Sequence, residues 1–374
     1  MDWINNFVGG LTAGQQFALF SLLKVVIVIF GAVLPIVAYA VLVERKVSAF
    51  IQDRVGPNRS APFFVKYLPV VGPFLVRLGI FQPLADGLKF ILKEDFTPSH
   101  VRKVYFWIAP AIAMVPAMLA LAVIPFGSTL GNQKMVIADL NVGILYTFGI
   151  VSLGVYGLVL AGYASNSKFS FLGGIRSSAQ MISYEIAMGM SVIPLFMLVG
   201  DLNLSKVIEY QAGTTLGFIP NWLVFKQPIA FVIFLVAAFA ETNRLPFDLP
   251  EAETELVGGY HTEYSSMKFA LFFLGEYTAM VAASAMMVVL FFGGWTLPFA
   301  GLDHPAATFI MGFAHIGIFV AKMLALMVVF IWVRWMLPRF RYDQLMDLGW
   351  RRFVPLALAN IVLTAVVLWA QNAK

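Results

Sequence analysis

Long stretches of apolar residues alternate along this chain with shorter polar segments. Eight such stretches can be traced, at roughly 17–43, 104–126, 142–163, 179–200, 226–241, 267–293, 306–333 and 353–370. A run of about 18 or more apolar residues is long enough to cross the hydrocarbon layer as a helix, the form in which a single segment satisfies its own backbone polar groups. The pattern predicts an all-α membrane protein with about eight transmembrane helices, the fifth being the shortest. The first stretch is too long for the core of a signal peptide and is read as a retained helix. Between the first and second stretches, residues 44–103 contain apolar pieces such as YLPVVGPFLVRLGIFQPL that Pro and Arg interrupt before they could span. These pieces are read as interfacial amphipathic helices. No repeat or low-complexity linker divides the chain, so it is taken as a single polytopic domain over 1–374, with an interfacial loop at 44–103 and an acidic loop at 241–266.

Composition sharpens this picture. Hydrophobic residues make up 60% of the chain and charged residues 12%, which places it outside the range of soluble domains. Cysteine is absent, which excludes thiolate-ligated iron–sulfur clusters and disulfides. Of the four histidines only His315 falls inside an apolar run, so a haem held by two histidines between spans has no ligand pair. The chain is therefore expected to hold no metal and no covalent cofactor. A net charge of +5 would suggest nucleic acid in a soluble protein, but here topology explains the basic residues better. Nineteen Lys and Arg fall in the odd-numbered loops, against four in the N-terminal segment, the even-numbered loops and the C-terminus together. By the positive-inside rule the odd loops face the cytoplasm, or the equivalent matrix side, and both termini face the opposite side.

Five of the 20 acidic residues are concentrated in ETNRLPFDLPEAETEL, residues 241–256, at the cytoplasmic boundary: Glu241, Asp248, Glu251, Glu253 and Glu255. Asp248 with Glu251 three residues on suits a capping box, and Pro250 suits a first helical turn. Helix initiation accounts for that pair alone. On the same helix Glu251 and Glu255 would form an i, i+4 pair of like charges, and carboxylates packed this closely share protons near neutral pH when desolvated. A solvated acidic loop is the alternative. Three further charges lie inside apolar runs: Glu276 in the sixth, Glu185 in the fourth and Lys322 in the seventh. An ionisable group at that depth costs on the order of 3 kcal/mol, so it is expected to face a protein interior or a wet cavity. His315 lies on the face of Lys322 and is read as a satisfied core histidine. Lys24 lies near the outer end of its run, can snorkel, and is assigned no role. Arg45 and Lys46 read as topology anchors closing the first helix.

Several segments together resemble the H-type membrane component of respiratory complex I, the proton-pumping NADH:quinone oxidoreductase: ERKVSAFIQDRVGPNR (44–59), QPLADGLKFILKED (82–95), ASNSKFSFLGGIRSSAQMISYE (164–185), ETNRLPFDLPEAETELVGGYHTEYSSMKFALFFLGEY (241–277) and WVRWMLPRFRYDQLMDLGW (332–350). They cover nearly every cytoplasmic loop in order. The resemblance implies eight spanning helices and the membrane side of a quinone tunnel, with ubiquinone or menaquinone as substrate. It also implies partner subunits that carry the iron–sulfur clusters, small neighbouring membrane subunits, and a place in the bacterial inner membrane or its mitochondrial equivalent. It implies a carboxylate relay from Glu241, Glu251, Glu253 and Glu255 near the quinone cavity to Glu276 and Glu185 deeper inside, and Lys322, charged at mid-depth of the seventh run, is counted with the same proton relay. Arg45, Phe273 and Arg334 are then placed along the quinone path. Two other readings compete: a structural anchor, as in related membrane-bound hydrogenase complexes, and a stand-alone ion-coupled transporter.

Overall fold

The computed structural model describes residues 12–62, 65, 71–131, 133–215, 219–298 and 301–372. Eight membrane helices follow in order: α1 Gly14–Ile51, α2 Lys103–Val123, α3 Gly143–Ala164, α4 Lys168–Val199, α5 Pro228–Glu241, α6 Ser266–Phe291, α7 Phe309–Met336 and α8 Tyr342–Gln371. Seven are long and apolar enough to cross a membrane, and α5, the shortest, is the exception. The sequence pattern located every one of them. Beyond the helices there are only two two-stranded hairpins among the described residues, Thr129–Leu130 with Gln133–Lys134 and Thr214–Thr215 with Ile219–Pro220. The chain is thus an all-α membrane protein.

Three helix ends differ from the apolar runs. α1 continues to Ile51, α4 begins at Lys168 rather than near 179, and α8 begins at Tyr342 rather than near 353. In each case the added turns carry polar or charged residues, so apolarity ended before the backbone hydrogen bonding did. The start of α4 is held by close packing: a Cβ at Gly173 would lie 2.8 Å from the Pro250 carbonyl oxygen. Glu185 consequently sits near the middle of α4 instead of two turns from its start.

Small residues bring the helices together, as is usual where lipid offers no hydrophobic drive for association. A Cβ at Gly157 of α3 would lie 2.4 Å from the Ala113 nitrogen of α2, and one at Gly162 would lie 2.5 Å from the Ser170 carbonyl oxygen of α4. In α6, 72% of the most apolar stretch is buried, against 22% in α1 and α8, so α6 is the central post and the other two lie at the periphery of the bundle. The segment between α1 and α2 carries two amphipathic helices, Val71–Leu78 and Gln82–Leu92, as the interrupted apolar pattern predicts.

Candidate functional site: a charged ladder between two cavities

Four elements converge where the C-terminal parts of α1 and α7 and the N-terminal half of α6 meet the segment after α5. α1 supplies Glu44, α6 supplies Glu276 and Tyr277, α7 supplies Arg334, and the turn after α5 supplies Arg244. The Glu44 side chain is only 7% exposed and that of Arg244 only 2%. Arg244 Nη1 donates to Glu44 Oε2 at 2.8 Å, and its Nε forms an ion pair with Glu276 Oε1. Glu44 also accepts from Tyr277 Oη at 2.7 Å, while its other oxygen accepts from Arg334 Nη1. The Arg244 guanidinium stacks 4.2 Å from the Tyr277 ring centroid. A planar five-donor guanidinium can hold two carboxylates at once, which an ammonium does less well. Buried charges persist only when paired in this way.

The ladder separates two cavities. The first, with about 1320 Å3 of empty space, lies between α1, the Gln82–Leu92 helix, α6 and α7, and is lined by Glu44, Arg45, Phe273, Tyr277 and Arg334 among mainly apolar neighbours. Arg45 is paired there with Asp86 at 2.7 Å. The second, about 940 Å3, lies inside the bundle of α2 to α6 and is lined by Glu241, Asn243, Tyr260, Thr147 and Glu276 within an apolar wall. The two predicted groups, Arg45 with Phe273 and Arg334, and Glu241 with Glu276, therefore fall into two neighbouring cavities. Arg244 touches a carboxylate of each.

The acidic stretch is not the capping box that its spacing suggested. Residues 245–252 form turns, and the only helical turn there is Glu253–Leu256, after an Ala252 with φ of 26°. Tertiary partners override the local signal. Asp248 pairs with Arg339 Nη2 at 3.0 Å instead of capping a helix, and Gln180 Nε2 donates to both the Ala240 and Phe247 carbonyls, closing the segment on itself. The return of the loop needs Gly259: its φ is 62°, and a Cβ there would fall 1.8 Å from the Pro250 carbonyl oxygen. Glu251 and Glu255 are accordingly not an i, i+4 pair. Glu255 is half exposed and bonded to Arg176 Nη1 at 2.7 Å, and Glu253 is exposed.

Glu251 lies inward, with an oxygen 3.6 Å from His261 Nδ1, beyond hydrogen-bond length. Burial drives the Glu251 pKa well up, helped by the negative charges of Glu276 and Asp248. Burial also pushes Asp248 up to about 6 against the pull of Arg339, and holds His261 down at about 4. Burial thus disfavours the charged form of both partners in the Glu251–His261 contact. His261 also meets the rings of Phe269 and Phe273, both on the wall of the first cavity.

The remaining predicted residues are dispersed. Glu185 lies beside Ser152 of α3 and acts electrostatically on Glu241. Lys322 stands apart: its ammonium donates to the Phe292, Gly294 and Thr296 carbonyls at 2.7, 3.0 and 2.7 Å, at the far end of α6, and lies over the Trp222 ring. His315 is fully buried, as expected of a core histidine, with Nδ1 2.8 Å from Ser128 Oγ, but its Nε2 has no hydrogen-bond partner among the described residues, so the ring is only half satisfied. Lys24 does more than snorkel, since it donates to the Lys134 and Val136 carbonyls at 2.9 and 3.2 Å and ties α1 to the hairpin between α2 and α3. Among the described residues no group of three or more His, Asp or Glu is placed to hold a metal.

Glu44, Arg244, Tyr277 and His261 are the residues that sequence reasoning passed over. Glu44 closes an apolar run and looked like a boundary acid, and Arg244 counted only as a cytoplasmic positive charge. Their adjacency to Arg45 and to the acidic stretch was the only available signal.

Fold and site together define a polytopic helical membrane protein with a buried network of paired acidic and basic side chains. The sequence matches the NADH dehydrogenase family over residues 23–365, and the chain belongs to that family. It is similar to the first of the H-type chains of the NADH-quinone oxidoreductase of Cytophaga hutchinsonii, 48% identical over 354 residues that cover 92% of this chain and 96% of the relative. The second H-type chain of the NADH-quinone oxidoreductase of Koribacter versatilis is 47% identical over 368 residues, covering 94% and 97%. The corresponding NADH-quinone oxidoreductase chain of Flavobacterium johnsoniae is 44% identical over 358 residues, covering 92% and 94%.

Proposed function

We propose that this chain is the membrane subunit of a proton-pumping NADH:quinone oxidoreductase that admits quinone and couples its reduction to charge movement. The observation that carries this reading is Arg244, which binds Glu44 on the first cavity and Glu276 on the second. In the first cavity Arg45 and Arg334 offer guanidinium donors to quinone carbonyls, and Phe273 offers an aromatic wall. Reduction of a quinone consumes two electrons and two protons. The electrons arrive from clusters on partner subunits, and the change of charge is felt first at Glu44.

Loss or gain of charge at Glu44 alters how strongly Arg244 is shared, and so alters the field on Glu276. From Glu276 the path runs through the second cavity to Glu241 and on to Glu185. Glu251 and Asp248, with His261 beside them, form the cytoplasmic branch, and Glu253 and Glu255 are its outermost acids. The path leaves Lys322 aside, because its three N–H donors already end on carbonyl oxygens. A pure anchor gains nothing from groups this costly to bury, which is why the coupling reading is preferred. The chain is placed in a bacterial inner membrane, or the mitochondrial equivalent, with both termini on the outer side and with iron–sulfur and small membrane subunits as partners. Solubilisation followed by affinity purification tests this assembly. Recovery with flavin and iron–sulfur partners is expected, and recovery of the chain alone in an active form would overturn it.

A further inference from the structure

A third concavity, outside the two that flank the ladder, opens where the cytoplasmic end of α1 meets the Val71–Leu78 helix. It holds about 1570 Å3 of empty space and is lined on one side by Leu42, Val43, Val47 and Phe50, with Phe74 and Leu78 opposite. Lys46, Arg54 and Arg77 stand around it with a single acid, Asp53. Val43, Phe50, Phe74 and Leu78 are exposed, so much of the apolar wall is left uncovered by the described residues. The frame is fixed: Lys46 Nζ donates to the Val55 and Arg77 carbonyls at 3.3 and 3.2 Å. A Cβ at Gly79 would lie 2.5 Å from the Pro57 carbonyl oxygen and 3.4 Å from Leu42, so the interfacial helix is pressed against α1.

We propose that this concavity is a binding site for one anionic glycerophospholipid. Its apolar walls run along the last membrane turns of α1, where acyl chains lie, and its cations sit where α1 leaves the membrane, at headgroup depth. The three cations against one acid leave an excess of positive charge that a phosphate offsets. Basic pockets on the cytoplasmic side of membrane proteins recognise anionic headgroups through this combination. A free phosphate would use the cations but leave the exposed Phe50 and Phe74 uncovered, and a zwitterionic lipid would use the walls but gain little from the charge. The proposal is independent of the quinone reading, since none of these residues lines the first or second cavity.

The test uses the whole assembled complex in phosphatidylcholine vesicles containing a photoreactive phosphatidylglycerol, with crosslinked peptides mapped by mass spectrometry. Labelling of the α1 end and the Val71–Leu78 helix is expected, displaced by unlabelled phosphatidylglycerol and untouched by inorganic phosphate. Arg54→Gln with Arg77→Gln removes two exposed charges and should lower labelling by roughly fivefold per charge. Val43→Trp, which fills the apolar half, should also lower it with the charges intact. Equal labelling by a photoreactive phosphatidylcholine, displacement by inorganic phosphate, or no label at these segments would each overturn the proposal. Should a variant fail to assemble, the comparison of the two lipids on the unaltered complex decides alone.

Discussion

Glu44 and Arg244 are 200 residues apart in the chain and 2.8 Å apart in space, nearly without solvent exposure. The guanidinium that pairs with Glu44 also pairs with Glu276, so both carboxylates share one cation. Removing Arg244 would leave both partly uncompensated. Breaking one partner of a buried pair typically costs about 3–5 kcal/mol, so Arg244→Leu should sharply reduce assembled complex, measured by native gel and by the melting temperature of the solubilised complex. Arg244→Lys keeps the charge but reaches both carboxylates less well, and should assemble better than it turns over. Normal stability of Arg244→Leu would refute the ladder.

Glu276→Gln preserves shape while removing the titrating group. Assembly is expected to survive, while proton pumping driven by NADH falls severalfold. The check is the ratio of quinone reduction to reduction of an upstream artificial acceptor, in membranes matched for complex content. Full pumping in an assembled variant excludes Glu276 from the relay.

The acidic stretch divides into exposed and buried members. Glu253→Gln with Glu255→Gln should move stability by no more than about 0.5 kcal/mol, because an exposed acid and a half-exposed surface pair contribute little. Glu251→Gln should lower quinone reduction several times more than that double change. The two rates, measured side by side, test which acids lie on the path, and a larger loss in the exposed pair would reverse the assignment.

Burial raises the Asp248 pKa from its ordinary value to about 6. The protonated form is therefore the one that the folded state favours. Its contribution to stability is complete below the ordinary carboxyl range and is lost as pH rises through 6. A protonated-carboxyl infrared band should fade with a midpoint near pH 6 and be missing from Asp248→Asn. A band unaffected by that substitution would place the titration elsewhere.

Orientation can be checked directly because the chain has no native cysteine. Lys168 and Gln133 are both exposed, on opposite sides of the predicted membrane. Lys168→Cys should react with an impermeant thiol reagent only from the cytoplasmic side, and Gln133→Cys only from the outer side. Reaction of both from one side would break the topology, and exchanged sides would invert it.

The sequence by itself determined the order of the apolar helices, the interrupted character of residues 71–92 and the family, because apolar run length and its interruption are local properties that can be read along the chain. It also singled out Glu185 and Glu276, since depth within an apolar run is visible along the chain. Helix ends were less legible: α4 extends to Lys168 because packing on the Pro250 turn, and not apolarity, sustains it. Only the tertiary structure decided that Asp248 pairs with Arg339 instead of capping a helix, that Glu253 is exposed while Glu251 is enclosed, and that Lys322 ends on carbonyl oxygens. It alone joined Glu44, Arg244, Glu276, Tyr277 and Arg334. The physical reason is that a buried charge is set by its partner and its desolvation, and here the partners come from four elements spread over some 290 residues of chain.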